Sequence, residues 1–241
     1  MIKNYTQLNF NKFSRVLVLS LGLLTVLFYS ACKTSDDSVS ASTSYITVVN
    51  ASPTVATYNL YLNNSKMNTA AIPLGGTLAY TQLLEGTYDL KFTTASSTES
   101  LLTKSIALTG STTYSYYLIG RAGNLDLMRV TDNMAAGSDK ATIRLANLSP
   151  DAPAVDLVVN AVEATTNVVS NQSYKSVSDF VAIEAKKYSF NIKKQGTNEV
   201  VATLNDVTLV AGKYYTLLLR GVISPANDTE VPIAATLITN L

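Results

Sequence analysis

Histidine and tryptophan are absent from this 241-residue chain, and cysteine occurs once, at Cys32. Without histidine there is no Ser–His or Cys–His couple, and no imidazole for a zinc, copper or haem site. Charged residues make up 15% of the chain, thin for a hydrolytic cleft and ordinary for packed strands. Lysine and arginine total 18 against 17 acidic residues, and no basic run points to nucleic acid. Carboxylates, hydroxyls and lysines are what remains for chemistry. Paired carboxylates for glycoside hydrolysis need a separation of roughly 5–9.5 Å, a three-dimensional property, and no clustered pair stands out. The expectation is a chain with no catalytic residue, no cofactor and no metal.

Long apolar runs are scarce too. The one of note, Val16 to Tyr29, follows Lys3, Lys12 and Arg15 and ends just before Cys32. At ~20 residues for a spanning helix, this run is too short for a membrane anchor. A basic start, a short apolar stretch and small residues before a cut mark an export signal. Ser30 and Ala31 ahead of Cys32 resemble a bacterial lipobox, although Tyr29 stands where leucine is usual. Ordinary signal peptidase is disfavoured by the same Tyr29, because it wants a small residue there. The resemblance implies cleavage of residues 1–31 and acylation of Cys32, with palmitate among the acyl groups. Two acyl chains, each methylene contributing about 0.8 kcal/mol, hold a protein stably in a membrane.

Loss of Lys3, Lys12 and Arg15 would leave 15 basic and 17 acidic residues, a net charge of −2. Residues 32–44 are small and polar, and are expected to form a flexible tether. Asp36 and Asp37 resemble the acidic signal that takes some Bacteroidetes lipoproteins to the outer face of the outer membrane. Asp37-Ser38-Val39 fits a short O-glycosylation pattern of that phylum, with Ser38 as acceptor. The expected location is the outer membrane, lipid-anchored, on the cell surface or on the periplasmic face.

Downstream the chain repeats itself. Ile46 to Asn63 aligns without gaps to Ile143 to Asn160, with identities at Ile46/Ile143, Asn50/Asn147, Ser52/Ser149, Pro53/Pro150, Leu60/Leu157 and Asn63/Asn160. Unrelated segments of this length would share about one residue. The echo continues with Tyr88, Leu90 and Phe92 against Tyr188, Phe190 and Ile192, and with Tyr114 against Tyr214. Strand periods dominate both copies. Tyr88-Asp-Leu-Lys-Phe92 alternates cleanly between apolar and polar, as a strand with one buried face should. Glycine, proline and asparagine punctuate such runs, and nothing after the signal has helical period. The reading is an all-β chain of two tandem antiparallel β-sandwiches, residues 45–134 and 141–241.

The stretch Lys140 to Leu157, with Ser149-Pro150-Asp151-Ala152-Pro153-Ala154-Val155-Asp156 at its centre, resembles a family known as DUF4397, a domain of unknown function found in tandem in bacterial envelope proteins. The resemblance covers nearly all of residues 45–241. It is weaker in the first copy, which keeps Ser52 and Pro53 but loses the second proline and both aspartates. The family implies an immunoglobulin-like or transthyretin-like sandwich and brings no catalytic residue.

Two readings of that motif stand side by side. In one, Pro150 and Pro153 stiffen a bend between strands, Asp151 caps the turn and Asp156 faces water. In the other, the aspartates hold calcium or a sugar, although calcium needs six to eight oxygen ligands and no spacing here supplies them. The chain has 14 tyrosines. Tyr88, Tyr188, Tyr114 and Tyr214 recur at strand starts and are expected in the cores. Tyr116 and Tyr117 are adjacent, so one of them should face out as a contact residue. These features point to a structural or adhesion-type binding module, partnered by envelope proteins, an extracellular polysaccharide or a host surface. The alternative is an accessory glycan-binding lipoprotein of a polysaccharide-uptake system.

Overall fold

The computed structural model describes residues 41–135, 139–160 and 166–240. Cys32, Ser38 and the expected signal peptide lie outside the described residues. Eight strands make the first copy: β1 (Thr43–Asn50), β2 (Tyr58–Leu62), β3 (Ser65–Lys66), β4 (Thr77–Leu84), β5 (Gly86–Thr94), β6 (Leu102–Leu108), β7 (Thr113–Ile119) and β8 (Asp126–Thr131). Nine make the second: β9 (Ala141–Asn147), β10 (Val155–Val159), β11 (Thr166–Gln172), β12 (Ser176–Val177), β13 (Val181–Ile183), β14 (Lys187–Lys194), β15 (Val200–Thr208), β16 (Tyr214–Arg220) and β17 (Ala234–Asn240). The described residues contain no helix.

Each copy is a sandwich of two sheets. The first pairs β4-β1-β7-β8 with β3-β2-β5-β6; the second pairs β12-β9-β16-β17 with β11-β10-β14-β15, and β13 also lies on β9. The two orders coincide once β12 and β13 together stand for β4. Pairing is antiparallel except for β1 with β7 and β9 with β16, which run parallel. Among the described residues no sheet crosses the junction, and the copies share a single antiparallel bridge, Thr54 with Glu230. The strand β1 takes in the last two residues of the expected tether, Thr43 and Ser44: Ser44 is buried, and its hydroxyl donates to the Thr109 carbonyl at 2.6 Å.

Register corrects one expected equivalence. Ile46 sits opposite Tyr114, whereas its counterpart Ile143 sits opposite Tyr215, not Tyr214. The hydroxyls of Tyr114 and Tyr215 accept from the amides five residues upstream, Thr109 at 3.4 Å and Val210 at 3.1 Å. Tyr214 is instead half-buried at the junction, donating to the Ala135 carbonyl at 2.7 Å. Tyr88 and Tyr188 do correspond, each donating to the carbonyl four residues back, Leu84 at 2.9 Å and Glu184 at 3.0 Å.

Three apolar clusters hold the structure. Ile46, Val48, Leu60, Leu90, Phe92 and Tyr116 fill the first sandwich. Ile143, Leu145, Leu157, Phe190, Ile192 and Leu217 fill the second. The third lies between the sandwiches, where Val49, Ala51, Tyr117 and Ile119 meet Ala146, Leu148, Leu218 and Ile238. The sheet of β1 and β7 therefore buries both faces, as does the sheet of β9 and β16. Four sheets stack in order, and the described residues form one compact unit.

Candidate functional site

The shared Asn-x-Ser-Pro residues build the same corner twice. At the end of β1 the Asn50 carboxamide accepts from the Ser52 amide at 3.1 Å, and at the end of β9 Asn147 accepts from Ser149 at 3.3 Å. This is an Asx turn, in which a short side chain stands in for backbone where the ladder stops. Both asparagines are buried, and their amide groups donate across the sandwich edge, Asn50 to the Ile72 carbonyl and Asn147 to those of Pro153 and Gln172. Identity between the copies here records a fold requirement.

The aspartates of the second motif reach farther than a local turn. Asp151 accepts from the amides of Ile223 at 2.8 Å and Ser224 at 3.0 Å, in a loop more than seventy residues away. It also meets Arg121 of the first sandwich at 3.2 Å, and Arg121 pairs with Glu230 as well. Burial pushes the Asp151 carboxyl up, but the two amides and Arg121 outweigh it and hold the group below its usual range. The Ala226 amide and Arg121 do the same for Glu230. Asp156, expected to face water, is 8% exposed and accepts from the amides of Asn171 at 2.8 Å and Gly196 at 3.4 Å. The first copy's Pro53 carbonyl accepts from Val231, so this motif too is tied to the other sandwich.

Between the sandwiches lies a polar centre that sequence reading missed. Arg144 of β9 and Asp132, just past β8, are 2.7 Å apart, with side chains 2% and 0% exposed. Arg144 donates through Nε to Thr216 at 2.8 Å and through Nη2 to Tyr117 at 3.1 Å. Asp132 Oδ2 accepts from the hydroxyls of Tyr80 and Ser115, both at 2.7 Å, while its Oδ1 has only the ion pair with Arg144. Asn240 closes the ring, accepting from Thr216 at 2.7 Å and donating to Tyr80 at 2.8 Å. Burial and the Asp132 charge push the Tyr80 phenol far up, so it stays a donor. A signal was present in the sequence: Arg144 is the lone charge in the otherwise uncharged strand Ala141–Asn147.

Beside this centre a cleft of about 410 Å³ opens at the junction, lined by Thr131 and Asn133 from the first copy and Val177, Ser178, Asp179 and Phe180 from the second. Phe180 lies 4.3 Å from the Arg144 guanidinium and makes an edge-on contact with Tyr214 at 5.0 Å. The cleft thus joins an aromatic ring to amide, hydroxyl and carboxylate groups, with Arg144 fixed beneath by its own partners.

Neither Tyr116 nor Tyr117 faces out, contrary to expectation: they are 1% and 0% exposed. Adjacent strand residues do point to opposite faces. Here one face is the first sandwich's core and the other is the inter-sandwich core. Among the described residues no group of three or more Asp, Glu, His or Cys is placed to hold a metal.

Residues 44–158 and 141–236 each match the model of a family described as Domain of unknown function (DUF4397). The chain belongs to the DUF4397 family. The two matches overlap over residues 141–158, the second copy's motif. No curated protein matches this DUF4397 chain by sequence. Among solved structures, the C-terminal domain of AlgF from P. aeruginosa is similar over 43% of this chain and all of its own, at 22% identity and a TM-score of 0.31. A family CBM26 module from Eubacterium rectale Amy13K, solved with maltoheptaose, aligns over 83% of this chain and 97% of its own, at 9% identity and a TM-score of 0.25. A streptococcal virulence factor that binds alpha-glucan aligns over 82% and 97%, at 11% identity and a TM-score of 0.25. Scores this low transfer no ligand to the DUF4397 chain.

Proposed function

We propose that this DUF4397 chain is a non-catalytic binding module of the cell envelope, tethered through lipidated Cys32 and contacting its partner at the junction of its two sandwiches. The observation that carries this reading is how the charged groups are used. Arg144 with Asp132, and Arg121 with Asp151 and Glu230, join one sandwich to the other. A catalytic carboxylate needs freedom to exchange a proton or attack a substrate. Here the converging carboxylates are held by donors that also fix the fold. The result is a stiff two-sandwich body, and stiffness lowers the entropy cost of binding.

The glycan-binding alternative draws support from the junction cleft, where Phe180 stands beside Asn133, Ser178 and Asp179. An aromatic face with a few oriented polar groups is suited to a sugar ring. Screening the chain and its Asn133→Ala/Asp179→Ala variant against immobilised polysaccharides tests both readings. Binding that the variant loses supports a glycan ligand at the junction. Binding that survives unchanged removes the cleft from the account.

A further inference from the structure

The first sandwich has an open side, where the edge strands of its two sheets, β6 and β8, stand next to each other. A cleft of about 190 Å³ lies between them, lined by Lys104, Ile106, Leu127, Arg129 and the buried Tyr116. Among the described residues, the Tyr116 hydroxyl is one of two buried side-chain polar atoms with no hydrogen bond of good geometry, and the Arg129 guanidinium is its nearest donor. The other, Asp132 Oδ1, has its ion pair. A buried hydroxyl left without a partner costs about 1–3 kcal/mol. Arg129 can only donate to this oxygen, so the phenol proton still lacks an acceptor, and Tyr116 lines the cleft from which one could come.

The cleft's charge says which kind. Arg129 is exposed and makes no ion pair among the described residues; its guanidinium sits 5.5 Å from the Tyr114 ring and gives one long bond, 3.4 Å, to the Ala107 carbonyl. Lys104 is 3.4 Å from Asp126, which is also shared with Lys175 at 3.1 Å. Cations outnumber carboxylates around this mouth, although the chain as a whole is close to neutral. Burial raises the Tyr116 phenol against the opposing charge and hydrogen bond of Arg129, so at neutral pH it is a donor and not an anion. Guanidinium and phenol together offer donors and no acceptor charge.

Size limits the ligand further. At about 190 Å³ the cleft lies below the roughly 300 Å³ at which whole-ligand pockets begin. One substituent fits, with its carrier left outside. We propose that the β6–β8 cleft is a subsite for a single small oxyanion, a carboxylate or sulfate group, gripped by Arg129 and by the Tyr116 hydroxyl. It is separate from the junction cleft, and its fate does not depend on that of the junction reading.

Calorimetric titration of the full-length chain with sulfate, glucuronate and glucose, at constant ionic strength, tests this. Sulfate or glucuronate should bind and glucose should not. Arg129→Gln and Tyr116→Phe should each weaken the anion roughly tenfold, the loss expected for one hydrogen bond to a charged group. Tyr116→Phe should leave the melting temperature unchanged or raised, because it deletes a buried hydroxyl whose proton has no acceptor. Arg129→Lys should keep part of the affinity and guards against misfolding of the glutamine variant. Glucuronate favoured over sulfate assigns a carboxylated sugar, and comparable binding of the two assigns a general oxyanion site; both uphold the proposal. No anion binding, equal binding of glucose, or affinities untouched in both variants would overturn it.

Discussion

Arg144 and Asp132 belong to different sandwiches, yet they meet at 2.7 Å where neither side chain reaches water. Removing two charges from water is costly, and such a pair is tolerated only when every remaining donor and acceptor is satisfied. Thr216, Tyr117, Ser115 and Tyr80 supply those bonds, so the pair links the sandwiches. Arg144→Met should strand the Asp132 charge and destabilise the chain by about 3–5 kcal/mol. Arg144→Met/Asp132→Leu should recover much of the loss. Urea unfolding of the single and double variants measures this, and additive losses would show that the residues are not coupled.

One shared core between the sandwiches predicts one unfolding transition. Tyr117, at 0% exposure, packs with Ile119, Leu148 and Leu218. Tyr117→Ala should cost about 3–5 kcal/mol, as large aromatic deletions do. Fluorescence and circular dichroism should still coincide through the melt of the parent chain. Two separated transitions would contradict a common core.

Acid should loosen the outer clamp. Asp151 and Glu230 have folded pKa values below their ordinary 3.8 and 4.5. A depressed carboxylate stabilises the fold fully above the unfolded pKa and loses that contribution as pH falls through the lower, folded value. Stability should therefore hold from pH 7 to about 5 and decline below about 4.5. An Asp151→Asn/Glu230→Gln variant should be less stable at pH 7 and flatter through that window. Melting temperatures from pH 3 to 7 check the sign; a parent curve rising towards pH 3 would refute it.

Two glycines occupy equivalent positions after β7 and β16. Gly120 and Gly221 have φ of +88° and +82°, and an added Cβ would lie 2.2 Å from the Asn124 carbonyl oxygen and 2.3 Å from that of Pro232. Gly221→Ala should cost well over about 1 kcal/mol, since strain and collision act together. By contrast Gly196→Ala, with no atom within 4 Å of the new Cβ, carries only the strain of a φ of +67°. The difference between the two melting temperatures reads the collision alone.

Attachment rests on Cys32. A Cys32→Ala chain should lose labelling by a clickable palmitate analogue and should be released or retained as precursor. Persistent labelling would remove the lipid anchor from the account.

Much of the sandwich was legible because strand periodicity is local. Tyr88-Asp-Leu-Lys-Phe92 alternates since β5 buries one face only, and its burial pattern matches at Leu90 and Phe92. The corners left a trace as well, the repeated Asn50 and Asn147, but the expected turn cap was Asp151, and the Asx bonds to the amides two residues on emerge only in the structure. Less was read from Tyr114–Ile119 and Tyr215–Leu219, whose unbroken apolar character is what burial on both faces produces. Read as a strand with one wet face, that run places one of Tyr116 and Tyr117 at the surface, where neither lies.

By itself the sequence determined the all-β class and the tandem copies, because strand periodicity and repeat identity are read from residues close together in the chain. Tertiary structure decided which faces were covered, which tyrosine corresponds to Tyr114, and what Asp151, Asp156 and Arg144 do. Those depend on surfaces brought together from as far apart as Tyr80 and Asn240. A side chain's alternation states which face of a strand it takes. Only the partner packed against that face decides whether it meets water or another core.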